Sequence, residues 1–172
     1  MAFDVDPAAD AATTRRSATT VIGTVTLEPH LDEVRGFVPG QADVDWRLVA
    51  EDGGWRIDIA NSTLHPILPD EHGAAAAALA WAQARQDCGD GDEYSGSLLG
   101  SPVLGDQLCD VRGDFVAAPP GPLGDTLATE VVAAFGPDAT TWARTVAVSG
   151  AAELTVVTAP LGDRWVVVGV TG

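Results

Sequence analysis

Two alternating runs on either side of Asp52-Gly53 constrain the fold of this chain more than any other feature. Over residues 42–60, apolar and polar side chains alternate as they do in half-buried strands. Asp-Gly favours a two-residue type I′ turn, and such a turn sets the register of the strands that it joins. The resulting register puts apolar pairs on one face and one opposite-charge pair on the other. The predicted pairs are Ala50 with Trp55, Leu48 with Ile57, Trp46 with Ile59, and Arg47 with Asp58.

Weaker signals extend this hairpin to a longer α+β pattern. Residues 21–28 predict a third strand, joined to the hairpin by a long irregular link through Pro29 and Pro39. A turn-rich connector over 61–71 follows the hairpin. Asp70 is placed to cap a helix that begins near Glu71 and stops at Gly89.

The second half predicts loops followed by strands. Residues 89–124 are rich in Gly, Pro and Asp, with short helical turns expected at 98–99 and 103–108. The segments 141–150, 153–159 and 164–170 alternate as strands do. Residues 126–135 fit either a helix or a strand, and we expect a strand because a Gly-Pro-Asp turn follows them. The chain is therefore divided into a disordered tail (1–19), a three-stranded sheet (20–69) and an α+β domain (70–172) with antiparallel meanders on one main helix.

Charge and cation type exclude several functions. The formal net charge is −16, and all nine cationic residues are arginines, which are scattered singly apart from Arg15-Arg16. Nucleic-acid binding and polybasic membrane anchoring need clustered cations, so neither is expected. Without lysine there is no Schiff-base, phosphate-loop or Ser-x-x-Lys chemistry. No segment is apolar enough to span a membrane, and no signal peptide is visible.

Cys88 and Cys109 bracket an irregular Gly- and Asp-rich stretch. In an oxidising compartment they would form a disulfide that stabilises the fold by roughly 3 kcal/mol. The alternative is two buried thiols, and their spacing does not favour a zinc site. An extracytoplasmic location, with an export segment not visible in this chain, is the expectation, and a cytoplasmic location is the alternative.

The layout of residues 70–172 resembles the NTF2-like (cystatin-like) superfamily. It has a helix, then loops, then a meander that ends in Gly162-Asp163-Arg164-Trp165 and a run of valines. The resemblance implies a curved sheet that wraps around the helix. It also implies the alternative of a small-ligand binder or isomerase-like enzyme that uses the cone of the sheet as a pocket. A third alternative is a component of a conjugation or secretion complex.

Residues 53–71 resemble the end of the NTF2-like domain that precedes the catalytic part of many penicillin-binding transpeptidases. Trp55 and Ile57 match the last strand of that domain, and Ser62, Pro66 and Leu68 match the connector after it. The chain lacks the helices expected before this sheet, so 20–69 resembles a truncated unit. The resemblance implies a spacer or docking domain in the cell envelope.

Candidate site residues come from the pocket alternative. Asp87 and Tyr94 are the candidate acid and phenol, with Trp81, Trp142 and Trp165 as candidate pocket walls. We expect instead that the tryptophans fill the core and that Asp87 is solvated, because these are the usual places of such residues. No metal or cofactor is expected, since the acidic loop 87–94 lacks calcium-ligand spacing and the three histidines are isolated.

These observations predict a non-catalytic accessory or interaction domain of the cell envelope of a GC-rich bacterium, related to cell-wall assembly proteins. A protein partner in the envelope is expected.

Overall fold

The computed structural model describes residues 20–32, 36–51, 54–89, 99–100, 103–109 and 111–172. It confirms a mixed α+β chain with antiparallel sheets and one main helix packed on a sheet. Two compact units are present. The described residues between 20 and 29 and between 39 and 67 form the first unit. Those between 30 and 38 and between 68 and 172 form the second unit. The tail predicted over 1–19 lies outside the described residues.

The first unit is an antiparallel sheet built around one long strand. Its elements are β1 (Thr20–Thr26), β4 (Gln41–Glu51), β5 (Gly54–Ile57), a short 3₁₀ helix (Ile59–Asn61) and β6 (Thr63–Ile67). β1 pairs with one side of β4, while β5 and β6 pair with successive halves of its other side.

The hairpin register is confirmed for its first two apolar pairs. Ala50 lies opposite Trp55 and Leu48 opposite Ile57, although Asp52 and Gly53 of the turn lie outside the described residues. The backbone N–H of Asp58 also donates to the carbonyl of Arg47, at 2.7 Å. The predicted pair of Trp46 with Ile59 is wrong, because the chain leaves the strand at Asp58 and enters the 3₁₀ helix.

The sheet of the first unit has four strands and not the predicted three, because part of the expected connector forms β6. Pro66 lies in β6 opposite Ala42. Proline is tolerated there because β6 is at the edge of the sheet, where one side of a strand makes no ladder hydrogen bonds. The 3₁₀ helix shifts the chain between β5 and β6, and both then follow β4. Sequence patterning missed β6 because a proline usually argues against a strand.

The second unit contains a five-stranded sheet with helices on it. Its elements are β2 (His30–Asp32), β3 (Gly36–Val38), α1 (His72–Gln86), β7 (Leu99–Gly100), α2 (Val103–Gln107), β8 (Phe115–Ala117), α3 (Asp125–Phe135), α4 (Ala139–Trp142), β9 (Arg144–Gly150), β10 (Leu154–Leu161) and β11 (Arg164–Thr171). The strand order is β7-β11-β10-β9-β8, and only the short β7–β11 pair among these described strands is parallel.

Both faces of this sheet are covered. We call the cluster under α1 the α1-side core and the cluster under α3 and α4 the α3-side core. Alternate residues of β10 and β11 point into one or the other: Val156 and Val167 into the first, Val157 and Val166 into the second. A bulge at Val168, between the pairs of Val157 and Thr158, shifts this alternation along β11.

Two corrections concern the α3-side core. Residues 126–135, expected as a strand, belong to helix α3, since Leu127, Val131 and Phe135 recur every four residues and pack on the sheet. The irregular link through Pro29 and Pro39 contains the β2–β3 hairpin, which belongs to the second unit and not to a continuous 20–69 sheet. Phe37 of this hairpin packs on Trp142, with ring centroids 4.7 Å apart.

Helix α1 lies close to the sheet at Gly73. A Cβ atom added at Gly73 would be 2.8 Å from Cδ1 of Trp165, nearer than carbon atoms approach without a shift. Helix propensity favours alanine over glycine by about 1 kcal/mol, so this position is glycine for reasons of packing. The indole of Trp165 therefore sets the distance between the start of α1 and β11.

We expect Gly73→Ala to lower the free energy of unfolding by about 1–3 kcal/mol, because the added methyl group forces the helix away from Trp165. Chemical denaturation measures this change. Ala76→Ser, on the exposed side of the same helix, is the control and should stay within about 0.5 kcal/mol of the parent. A stabilised Gly73→Ala variant would contradict the packing explanation.

Candidate functional site

The three tryptophans considered as walls of one pocket are buried in two different cores. Trp81 and Trp165 belong to the α1-side core, and Trp142 belongs to the α3-side core. The five-stranded sheet separates these cores, because neighbouring residues of β10 and β11 point into opposite ones. The structure therefore does not bring the three indoles together around one cavity.

The two candidate reactive groups are not placed in a pocket either. Asp87 is exposed at the C-terminal end of α1, where its backbone N–H donates to the carbonyls of Gln83 and Arg85. Tyr94 lies outside the described residues, as does most of the acidic loop. Within the described ranges, no group of three or more His, Cys, Asp or Glu side chains is arranged to hold a metal ion.

The C-terminal end of α1 is held by a disulfide between Cys88 and Cys109, whose Cα atoms are 4.6 Å apart. Cys88 adopts a left-handed backbone conformation, with φ of 56°, which ends the helix. Next to it, Nε2 of Gln86 donates to the carbonyls of Val111 and Gly113, both at 2.8 Å. The bridge and the amide together fix the end of α1 to Cys109, Val111 and Gly113.

The N-terminal end of α1 is held by polar contacts around Asp70. The carboxylate of Asp70 accepts a hydrogen bond from the backbone N–H of His72 at 2.9 Å, as the predicted capping role requires. Nδ1 of His72 lies 2.9 Å from the same oxygen. The backbone carbonyl of Asp70 accepts a hydrogen bond from the indole Nε1 of Trp165 at 3.0 Å. These contacts explain why Trp165 is buried with its polar atom satisfied.

Arg144 joins the start of α1 to the end of α4. Its Nε and Nη2 both donate to Oε1 of Glu71, at 3.0 and 2.7 Å, and its Nη1 donates to the carbonyls of Thr141 and Ala143. Glu71 and Arg144 are far apart in the sequence, so no local pattern could have predicted this pair. Four donated hydrogen bonds mark Arg144 as a structural residue.

A shallow groove of about 420 Å³ runs beside this contact. One wall is Glu71, His72 and Ala75 of α1, and the other is the segment 117–120, Ala-Ala-Pro-Pro. The exposed ring of His72 is paired with the carboxylate of Asp70. The lining residues carry no hydroxyl or thiol for such a pair to activate, and the carboxylate of Glu71 accepts two hydrogen bonds from Arg144.

The first unit exposes a different kind of surface. Register places twelve residues on one face of its sheet, and none of these described residues is ionisable: Val21, Gly23, Val25, Ala42, Val44, Trp46, Leu48, Ala50, Trp55, Ile57, Leu64 and Pro66. Val25, Ala42 and Val44 are buried. Along the edge strands, however, Trp55 is 59% exposed, Ile57 51% and Leu64 45%. We call this exposed part, Trp55, Ile57 and Leu64, the open apolar face.

The opposite face of the same sheet is mixed, with Ile22, Val49 and Ile67 beside its charged and polar residues. Thr24 donates to Asp43 at 2.9 Å, and Nε2 of His65 lies 3.4 Å from Asp45. Arg47 and Arg56 also point to this face, as their register with Thr20 and Val49 requires. The sheet is therefore amphipathic, and its charged residues lie away from the open apolar face. Sequence alternation predicted this apolar face but not that much of it would be exposed.

No protein-family model matches the chain, and no curated protein or solved structure shows significant similarity to it. None of the helices in the described part of the chain has the length and apolar character that a membrane span needs.

We expect the contribution of Asp70 to stability to depend on pH. The hydrogen bond from the backbone N–H of His72, and then that from its side chain, holds the pKa of Asp70 below its usual range. The ionised form is thus favoured in the folded state. Its stabilisation is present above the pKa of the unfolded chain and is lost as the pH falls through the folded pKa.

The matched variant is Asp70→Asn, which can still cap the helix but carries no charge. Urea denaturation between about pH 6 and about pH 2 should show the parent more stable than Asp70→Asn near neutrality, with the difference vanishing in acid. In a carboxyl NMR titration, His72→Ala should raise the pKa of Asp70 only in part, because the backbone donor remains. A difference that does not change with pH would contradict the assignment.

Proposed function

We propose that this protein is a non-catalytic interaction domain of the bacterial cell envelope, and that it contacts another protein through the open apolar face of its first unit. The observation that carries the proposal is the exposure of Trp55, Ile57 and Leu64 on a sheet face without ionisable residues. Contiguous exposed apolar residues on soluble proteins usually mark interaction sites.

The second unit supports this proposal as a scaffold. Its tryptophans are buried, its groove has no hydroxyl or thiol among the lining residues, and Asp87 is exposed to solvent. These features favour a structural role for the tryptophans and Asp87, which in an enzyme we would expect to line a pocket. The packing of α1 on the antiparallel strands β8 to β11 supports the further proposal of an NTF2-like relationship for this unit.

The disulfide supports an extracytoplasmic location. Disulfides persist in oxidising compartments and are rare where thioredoxin and glutathione keep thiols reduced. Cys88 is exposed, so a reducing cytoplasm would have access to this bridge. A strongly acidic chain in the envelope would remain soluble and would discriminate among partners by charge.

Site-specific photocrosslinking in intact cells tests the proposal. A photoreactive phenylalanine analogue at position 55 should form a covalent adduct with a protein, because Trp55 lies on the open apolar face. The control is the same analogue at Val116, which is 64% exposed on β8 of the second unit, and it should form no adduct. Thiols trapped in the same cells should show Cys88 and Cys109 oxidised.

Two results would contradict the proposal. Equal labelling from positions 55 and 116, or none from either, would remove the interaction surface. Two free thiols in the trapped protein would remove the oxidising location.

A further inference from the structure

The Cys88–Cys109 bridge lies where α1 ends, and the backbone there has a conformation that favours glycine. The backbone N–H of Gly89 donates to the carbonyl of Ala84 at 2.8 Å, and that of Cys88 donates to the carbonyl of Arg85 at 3.0 Å. These two bonds form a Schellman motif, in which the residue after the C-cap is left-handed and usually glycine. Here that residue is Cys88, with φ of 56°. A side chain in this conformation costs free energy that glycine does not lose, and the bridge requires a cysteine there.

The two bridged cysteines differ in their access to solvent. Cys88 is exposed, whereas Cys109 is half-buried and follows Leu108, which is buried in the α1-side core. A disulfide is opened by a thiolate that attacks one of its two sulfurs, and the rate depends on access to that sulfur. Exposed disulfides are reduced more readily than buried ones. A thiolate from solvent therefore reaches this bridge at Cys88.

We propose that the bridge is a thiol–disulfide exchange site, which a dithiol opens at Cys88 while the protein stays folded. One thiolate of the dithiol attacks Sγ of Cys88, the bond to Sγ of Cys109 breaks, and Cys109 leaves as a thiolate that takes a proton from water. The second thiol of the reductant attacks the mixed disulfide, so that the reductant becomes a disulfide and Cys88 is released as a thiol. Two electrons and two protons pass to the protein in total. This inference goes beyond the proposed function, because it concerns the second unit and not the open apolar face.

The rest of α1 stays packed without the bridge. Nε2 of Gln86 donates to the carbonyls of Val111 and Gly113, so a second anchor holds the helix one turn before its end. Trp81, on the inner side of the same helix, is buried in the α1-side core. Reduction therefore releases the turn around Cys88 and leaves the sheet and its two cores assembled.

The released turn changes with the redox state of the bridge. Once the covalent link is gone, Cys88 is free to leave the left-handed conformation. The amides of Cys88 and Gly89 then lose the carbonyls of Arg85 and Ala84 as acceptors, and the last turn of α1 frays. The end of the helix is thus ordered when the bridge is oxidised and mobile when it is reduced. In an oxidising compartment the ordered state is the resting one.

Reduction kinetics of the whole chain with dithiothreitol test this inference. We expect a rate that is proportional to the dithiothreitol concentration and that changes by less than about twofold per molar urea below the unfolding transition. A bridge that opens only in the unfolded chain would react about fivefold faster or more for each molar of urea, since urea raises the unfolded population.

Trapping identifies the sulfur that is attacked. The folded protein is mixed briefly with mercaptoethanol, quenched with iodoacetamide and mapped by peptide mass spectrometry. We expect the mercaptoethanol adduct on Cys88 and the alkyl group on Cys109, in about tenfold excess over the reverse pattern. The same reaction in concentrated urea is the control, and there the two patterns should be about equal, because both sulfurs are accessible.

Amide chemical shifts show what reduction does to the fold. Those of Cys88 and Gly89 should move towards unfolded values when dithiothreitol is added, while those of Val156 and Val167 should stay unchanged. The variant Cys88→Ser/Cys109→Ser should resemble the reduced protein and should not respond to dithiothreitol. Steep acceleration by urea, equal labelling of the two cysteines in the folded protein, or shifts that change throughout β10 and β11 would each overturn the inference. None of these results bears on the open apolar face, so the proposed function is tested separately.

Discussion

The second unit depends on one constraint, which is that β10 and β11 are apolar on both faces. Apart from their ends and Thr155, the residues of these two strands are buried, including Thr158, whose hydroxyl donates to the carbonyl of Arg144. In a strand with one solvent-exposed face, polar and apolar residues alternate. The residues of β10 and β11 do not alternate in this way. Cover is therefore needed on both sides, and α1 supplies one side while α3, α4 and the β2–β3 hairpin supply the other.

The first unit meets the opposite condition. One face of its sheet has no ionisable residue, and the other carries all the charged residues together with the apolar Ile22, Val49 and Ile67. Gly23, Val25, Ala42 and Val44 on the apolar face are buried, whereas the edge strands leave Trp55 and Ile57 in solvent. The chain thus combines a unit whose apolar residues are nearly all internal with a sheet that retains an uncovered surface. The proposed interaction follows from this difference.

Several elements could be predicted because their signals are local. The dipeptide Asp52-Gly53 predicted the register of Ala50 with Trp55, and Asp70 marked the start of α1. The Cys88–Cys109 bridge was predicted alongside the alternative of two thiols, and spacing alone could not choose between them. The helical turn over 103–108 was also predicted and is α2. Except at the disulfide, whose cysteines are 21 positions apart, the deciding residues lie within a few positions of one another.

Other elements depend on distant contacts and were missed or wrong. Residues 126–135 have apolar spacing that fits both a helix and a strand. They form a helix because its apolar side covers the second face of β10 and β11. The β2–β3 hairpin is short, and its place is set by Phe37 packing on Trp142, more than a hundred residues away. The candidate pocket was likewise unpredictable, because the sequence does not tell on which side of a sheet a tryptophan lies.

The central claim is that stability resides in the doubly covered sheet, whereas the apolar face of the first unit is open. Residue-resolved native-state hydrogen exchange tests this claim most directly. The amides of Val156, Val157, Val166 and Val167 should exchange only through global unfolding. Those of β5 and β6 should exchange through openings that cost at least about 2 kcal/mol less. Equal protection in the two sheets would contradict the account, because it would mean that the face bearing Trp55 is covered within the single chain.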